Sequence, residues 1–564
     1  MKSIFDIAGT NTKRSQRLRP YGAVGHLWIF IAGFILTSTM LPMGALLWKA
    51  TGSSEGVWPH LIANVLPQSV SITIYLLVGV GLGTFVLGAG SAWLVSRYAF
   101  PMRGILQWAL ILPLAIPTYI SAYTWVEFAD YTGPLQEWVR VIGGYETSRD
   151  YWFPEIRSLS GAVLLISLVL FPYVYLPARL SFSQQSRHLF DVARLLGAGP
   201  WRLFFKVALP AARPAIAVGV ILALMETLND IGAVEYLGIR TLTFSVFDTW
   251  LNRSSLAGAA QLALILMIVV LALVLLERHM RRQQSYHDTK HTTQSGELIQ
   301  LSGVNAALAF TACALPVLLG FLVPLGQLLE FIIRIPRQAS DNALLVATGN
   351  SITIALVTAV ICVLAGFALI FSNRLSRNKF LKVSIRFSVF GYAVPGTILA
   401  IGVLVALTGF DNWFSGRMVE WFGMRTGLLI SGSVAIIIFA CSVRFLAVAV
   451  GNIEAGYAKL SPNLIAASRT LGHSQNSSLW RVELPLISKS MAVAGVLVFV
   501  ETMKELSSTL MLRPFNFDTL ATYVYSRASR ALFEEASLAA LIIVLIGLIP
   551  VYVLTKVIIL EQKR

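Results

Sequence analysis

Twelve runs of largely apolar residues divide this chain, near 27–49, 69–96, 106–127, 160–178, 214–234, 256–276, 304–329, 351–372, 385–408, 428–450, 490–512 and 536–557. A helix rises 1.5 Å per residue, so about 20 such residues cross the hydrocarbon layer of a bilayer. The expected fold is therefore an all-α polytopic membrane protein with twelve transmembrane helices. Composition supports this. Of the 564 residues, 56% are hydrophobic and 13% charged, whereas a soluble surface carries roughly 25–35% charge. The net charge of +16 is spread between the apolar runs rather than gathered in one patch. It marks inner loops facing membrane lipid, and no nucleic-acid partner is expected.

The first run follows Lys13, Arg14, Arg17 and Arg19. That flank resembles a signal peptide, but the run is too long for one and no small-x-small site follows it. It reads as a retained first span with its N-terminus inside. Counted loop by loop on that basis, roughly two thirds of the Lys and Arg fall on the inner side, as the positive-inside rule requires. Both termini are then cytoplasmic. Cys313, Cys362 and Cys441 all lie within apolar runs, with no metal spacing or disulfide pattern.

The chain also repeats itself. Ser71, Ile72, Thr73 and Ile74 recur as Ser351, Ile352, Thr353 and Ile354; Leu209 and Pro210 as Leu484 and Pro485; Glu226 and Thr227 as Glu501 and Thr502. Order is kept at near-constant offset, which marks two copies of one unit. Six spans per copy is an even number, so the copies enter the membrane from the same side and the repeat is parallel. The expected organisation is a tail (1–26), a first half (27–277), a cytoplasmic linker (278–303) and a second half (304–564).

The inner loop between the fourth and fifth spans carries a motif in both halves. In the first it reads Asp191, Val192 and Ala193, then Gly197, then Leu209 and Pro210. In the second it reads Ala466, Ala467 and Ser468, then Gly472, then Leu484 and Pro485. Small residues followed by glycine let a short helix turn sharply and lie against another protein, and the Leu-Pro aims the chain back into the bilayer. The pattern resembles E-A-A-x3-G-x9-I-x-L-P, the mark of ABC importer permeases served by periplasmic binding proteins, and the resemblance covers nearly the whole chain. It implies the type I importer permease fold in a bacterial inner membrane. It also implies two ATPase subunits docked on these residues and a periplasmic or lipid-anchored substrate-binding protein. The motif's leading Glu is Asp191 in one copy and Ala466 in the other, so the second contact is expected to be weaker or differently anchored. The chain has no Gly-Lys pair and hence no phosphate-cradling loop. It is expected to be a transport subunit and not an enzyme, with no bound cofactor, the ATP and Mg being used by the partner.

Four carboxylates fall inside apolar runs: Glu226 and Asp230 in the first half, Glu501 and Glu505 in the second. Each pair is spaced i, i+4, which on a continuous helix places both groups on one face. Ionisable groups at that depth mark a pathway by default. The plainer alternative is structural: Lys504 pairs with a neighbour, and Asn229 bonds locally. Clustered hard oxygen ligands suit a hard cation held transiently. Residues 226–236 and 241–250 resemble the ferric-iron branch of the family; residues 501–518 resemble that branch and also the thiamine permeases, which share the fused two-half plan. Ferric iron is the expected substrate and thiamine the alternative. A secondary transporter would account for the spans and carboxylates but not for two inner Gly…Leu-Pro motifs.

Overall fold

The computed structural model describes residues 23–54, 56–284, 298–335, 341–375, 383–385 and 389–562. The tail residues 1–22 and half of the expected linker, residues 285–297, lie outside the described residues. Among those described, ten helices are long and apolar enough to cross a membrane. Two further pairs are bent, Arg103–Ala115 with Thr118–Gly143 by 96° and Leu159–Leu170 with Pro172–Ser183 by 46°. Counting each bent pair as one span gives six spans per half.

Proline explains where the helices depart from straight rods. Pro117 caps the helix Thr118–Ala129, and Pro395 caps Gly396–Phe422. The third span of the second half thus begins at Gly396, downstream of the expected 385. The residue before a proline is driven out of the helical region, which hydropathy alone does not register. Elsewhere the chain tolerates proline inside a helix by widening the turn just before it. Leu66, Leu209, Val323 and Leu484 each donate a backbone N–H five residues back, to the carbonyls of Leu61, Phe204, Leu318 and Leu479. In every case the next residue is proline (Pro67, Pro210, Pro324 and Pro485). The wider turn offsets the contact its ring would otherwise force.

The halves are not separate bodies. The first span, Ala23–Ala50, packs on the second half. Ser372 Oγ donates to the Trp28 carbonyl at 2.7 Å, and Trp28 meets the rings of Phe367 and Phe371 edge-on. A Cβ on Gly402 would stand 2.4 Å from the Pro42 carbonyl oxygen, so only glycine admits this approach. The second half's first span returns the exchange. Trp125 Nε1 donates to the Leu319 carbonyl at 3.1 Å, and Gly320 lies against the Leu168 carbonyl. Lipid gives helices no hydrophobic drive to associate, so close backbone approach through small residues holds such crossings. Tyr98–Ala99 pairs in parallel with Ile299–Gln300, tying the residues before the second half to the end of the second span.

Candidate functional site

Two features are candidates for function: the pair of loops carrying the repeated motif and a central cavity. The helix of the first motif is Arg187–Leu195 and that of the second Pro462–Thr470. Both end at a glycine in the left-handed region, Gly197 at φ 78° and Gly472 at φ 87°. Ala198 N–H donates to the Ala193 carbonyl at 3.0 Å and Gly197 N–H to the Arg194 carbonyl at 2.9 Å; His473 N–H donates to the Ser468 carbonyl at 3.2 Å. These bonds satisfy the last carbonyls of a helix while the chain reverses, a geometry that glycine adopts without strain. On the first helix Val192 is exposed, while Asp191 and Ala193 are half-buried; on the second Ala466 and Ala467 are exposed and Ser468 is buried. Leu195, Leu196 and Leu471 are 87%, 82% and 79% exposed. Leu209–Pro210 and Leu484–Pro485 do not end the loop as expected. They sit within helices that already run from Pro200 and from Leu479, because the widened turn carries the helix through the proline.

The four carboxylates also depart from the sequence expectation. The fifth spans, Leu209–Asn229 and Leu484–Lys504, stop one residue short of Asp230 and Glu505. Both residues have extended backbones, so neither shares a helix face with Glu226 or Glu501. Asp230 instead caps the short helix that follows it, and Glu505, one residue before the next helix's N-cap Leu506, bonds that helix's first turn. Asp230 Oδ1 accepts the Ala233 N–H at 3.0 Å, and Glu505 Oε1 accepts the Ser508 N–H at 2.8 Å. Aspartate is a favoured N-cap because its short carboxylate reaches the free N–H groups of the first turn. The i, i+4 spacing therefore arises from one helix ending and another starting, and the expected fifth spans, which ran on to 234 and 512, contain this break.

The break opens a cavity of about 80 Å³, lined by both halves. All four carboxylates line it, with Asn229, Tyr173, Tyr392, Arg444 and Lys504. That is room for several waters and not for a large hydrated ligand. Arg444 Nη1 bonds Glu505 Oε2 at 2.6 Å, with side chains only 6% and 5% exposed. Lys504 Nζ bonds Glu501 Oε1 at 3.0 Å. Beside them Asn229 Oδ1 accepts the Gly396 N–H at 2.9 Å, and Ser507 Oγ donates to the Asn229 carbonyl at 2.9 Å. These bonds knot the broken helix of the first half to the second half. Among the described residues no three His, Cys, Asp or Glu are gathered so as to hold a metal ion. The carboxylates share one cavity without forming a ready-made metal cage.

Arg444 and Gly396 were not singled out from the sequence, and Asn229, expected to bond locally, bonds across to the other half. Arg444 had a plain signal, a lone arginine inside the run 428–450, and a charge there is a functional candidate by default. Away from the cavity, at the start of the second half's second span, Asp341 accepts from the Tyr523 hydroxyl at 2.7 Å and from the Ala343 N–H at 2.9 Å. Those bonds, with Arg527 nearby, hold its carboxyl below the usual range.

Residues 84–283 and 365–560 match the family described as "Binding-protein-dependent transport system inner membrane component". The two matches fall one in each half and together cover most of the chain. A protein named as an Fe(3+)-transport system permease from Haemophilus influenzae is 27% identical over 495 residues, 87% of this chain and 90% of that protein. A molybdenum transport system permease of Escherichia coli is 29% identical over 34% of this chain and 82% of its own length. A probable sulfate transport system permease of Nephroselmis olivacea is 27% identical over 37% of this chain and 72% of its own.

Proposed function

This chain belongs to the inner membrane components of binding-protein-dependent transport systems, and from that premise we propose that it imports ferric iron through the cavity between its halves. As a member of that family it is a multi-pass transport subunit. One chain supplies two docking helices, so the assembly has one copy of this protein, two ATPase subunits and one binding protein, with both termini in the cytoplasm. ATP and Mg are used by the ATPase, and this chain holds no cofactor of its own.

The observation that carries the cation reading is the convergence of Glu226, Asp230, Glu501 and Glu505 on one cavity. A trivalent cation leaving a binding protein loses oxygen ligands, and carboxylates along the path replace them. The relative that matches across both halves is named for Fe(3+) transport, which favours iron among hard cations. An oxyanion is the second reading, because Arg444 and Lys504 line the same space. Each of these cations is bonded to a carboxylate, however, and carboxylates outnumber them there.

The test is transport into vesicles holding the purified assembly, whose mass also reports the subunit ratio. Binding proteins loaded with iron, sulfate, molybdate or thiamine are compared. ATP-driven accumulation of iron alone is expected. Glu226→Gln combined with Glu501→Gln should cut iron uptake on the order of tenfold, one decade for about 1.4 kcal/mol of lost stabilisation, while sparing assembly and basal ATP hydrolysis. Normal iron uptake in that double variant would return these carboxylates to a purely structural role.

A further inference from the structure

The two carboxylates of the second half carry bonded cations, whereas Asp230 Oδ2 in the first half is buried with no hydrogen-bond partner among the described residues. We propose that Arg444 and Lys504 are tethered counter-cations: they neutralise Glu505 and Glu501 while the path is empty, yield them to a passing metal cation, and then take them back, so that the path empties itself. This rests on the cation reading above.

Three observations support it. Carboxylates crowded into a small cavity repel one another strongly at low dielectric, so an empty path needs positive charge close by. Arginine keeps its charge even when dry, and Arg444 is buried to that degree. Second, the guanidinium has capacity to spare. Arg444 Nε is buried without a hydrogen-bond partner among the described residues, and Glu226 lines the same cavity as Arg444 and Glu505. Arg444 can therefore shift toward a carboxylate of the other half without leaving the cavity. Third, room is reserved for it. A Cβ on Gly396 would stand 2.6 Å from Arg444 Nη1, so the backbone of the third span is bare where the guanidinium lies.

Lys504 occupies a softer position. It is the last residue of its helix, and its pair with Glu501 is 20% and 30% exposed. A multiply charged cation displaces both singly charged groups from their oxygens. Being tethered, they remain at high effective concentration and recombine as the cation moves on. A path of bare carboxylates would bind the cation tightly and release it slowly, which defeats transport. Arg444 and Lys504 are thus specificity-determining residues that act by competing with the cargo.

The experiment uses the purified full chain with its ATPase and binding-protein partners, and terbium(III) as a luminescent trivalent probe. Wild type is expected to retain little terbium. Arg444→Gln and Lys504→Gln should each retain it on the order of tenfold more tightly, since each removes a competing charge from the site, and should release it more slowly. Iron delivered per ATP hydrolysed should fall, and Arg444→Lys should recover most of the loss. Lys504→Gln touches the more exposed pair and keeps the test decisive if the Arg444 variant fails to insert. Terbium retention unchanged or weakened in Lys504→Gln, with wild type importing iron, overturns the inference. Wild type importing no iron from a loaded binding protein is a separate result, and it overturns the cargo reading instead.

Discussion

The two proposed docking helices end in the same glycine turn but differ in what surrounds them. In the first, Phe190 is buried among Trp93, Phe182 and Phe204, with Trp93 at 5.9, 5.4 and 5.4 Å from Phe190, Phe182 and Phe204. The Arg97 guanidinium lies over the Phe190 ring at 4.2 Å. Phe190 meets Trp93 of the second span, and Trp93 in turn meets Phe182 of the fourth and Phe204 at the start of the fifth, so this helix joins an aromatic cluster shared by three spans. At the corresponding positions of the second half stand Ile465, Tyr457 and Leu479. There the arginine stack has moved: Arg374 lies over Tyr457 at 4.4 Å, at the end of the fourth span rather than on the docking helix. The buried Ser468 hydroxyl has no hydrogen-bond partner among the described residues. A common turn geometry therefore does not imply common stiffness. The first helix is expected to follow the spans more closely than the second.

The largest expected effect comes from cutting that aromatic tie. Phe190→Ala removes a buried ring, a change worth about 3–5 kcal/mol in a packed core. It should leave the protein inserted while lowering substrate moved per ATP hydrolysed by an order of magnitude or more. Ile465→Ala should lower it several-fold less. Equal losses in the vesicle assay would break the comparison. A smaller effect is expected at the partner-facing surface. Leu195 and Leu196 stand out from the first helix, where the second offers Thr470 and Leu471. Leu195→Ser with Leu196→Ser should weaken ATPase binding about tenfold, and Leu471→Ser less, on the scale of about 1–2 kcal/mol per exposed leucine that becomes buried on docking. Titrating the ATPase onto detergent-solubilised chain measures both.

Much of this architecture was legible in the sequence, for reasons that particular residues make clear. The spans follow from apolar length, a signal that needs no tertiary information. The parallel halves follow from recurring pairs such as Glu226 with Thr227 and Glu501 with Thr502. What the sequence did not reveal depends on where backbone hydrogen bonds stop. Hydropathy runs straight through Asp230 and Glu505, yet each follows the end of one helix and its carboxylate bonds the first turn of the next. Apolar runs likewise do not say which neighbour they pack on, so the exchange of first spans through Gly402 and Gly320 could not be read. The central cavity was half legible. Its carboxylates announced themselves as charges in apolar runs, whereas Arg444 carried the same signal inside 428–450 and was not weighed with them. Asn229 and Gly396 matter only because the fold brings residues of the two halves together.

The smallest expected effect is at the glycines, and there the two copies should come closest together. A Cβ on Gly197 or Gly472 would meet nothing within 4 Å, so neither position is closed by sterics inside this chain. The cost of substitution is conformational. An L-residue held at φ 78° or 87° gives up about 1–2 kcal/mol relative to a right-handed alternative, and that cost is the same in kind for both copies. Gly197→Ala and Gly472→Ala should therefore lower ATPase affinity by similar, few-fold amounts, with Gly197 at least as sensitive because its helix cannot re-seat around a fixed Phe190. A bulkier residue at either site adds to this only through what it meets on the partner, since the space around each glycine is open. The readout is the ratio of the two affinity losses, measured with alanine and then with valine. A ratio near one for alanine is expected if the turns are equivalent and only their anchoring differs. Full tolerance at Gly472 beside a large loss at Gly197 would mean that the second loop does not keep its left-handed turn when docked, and the difference between the halves would then extend to backbone geometry.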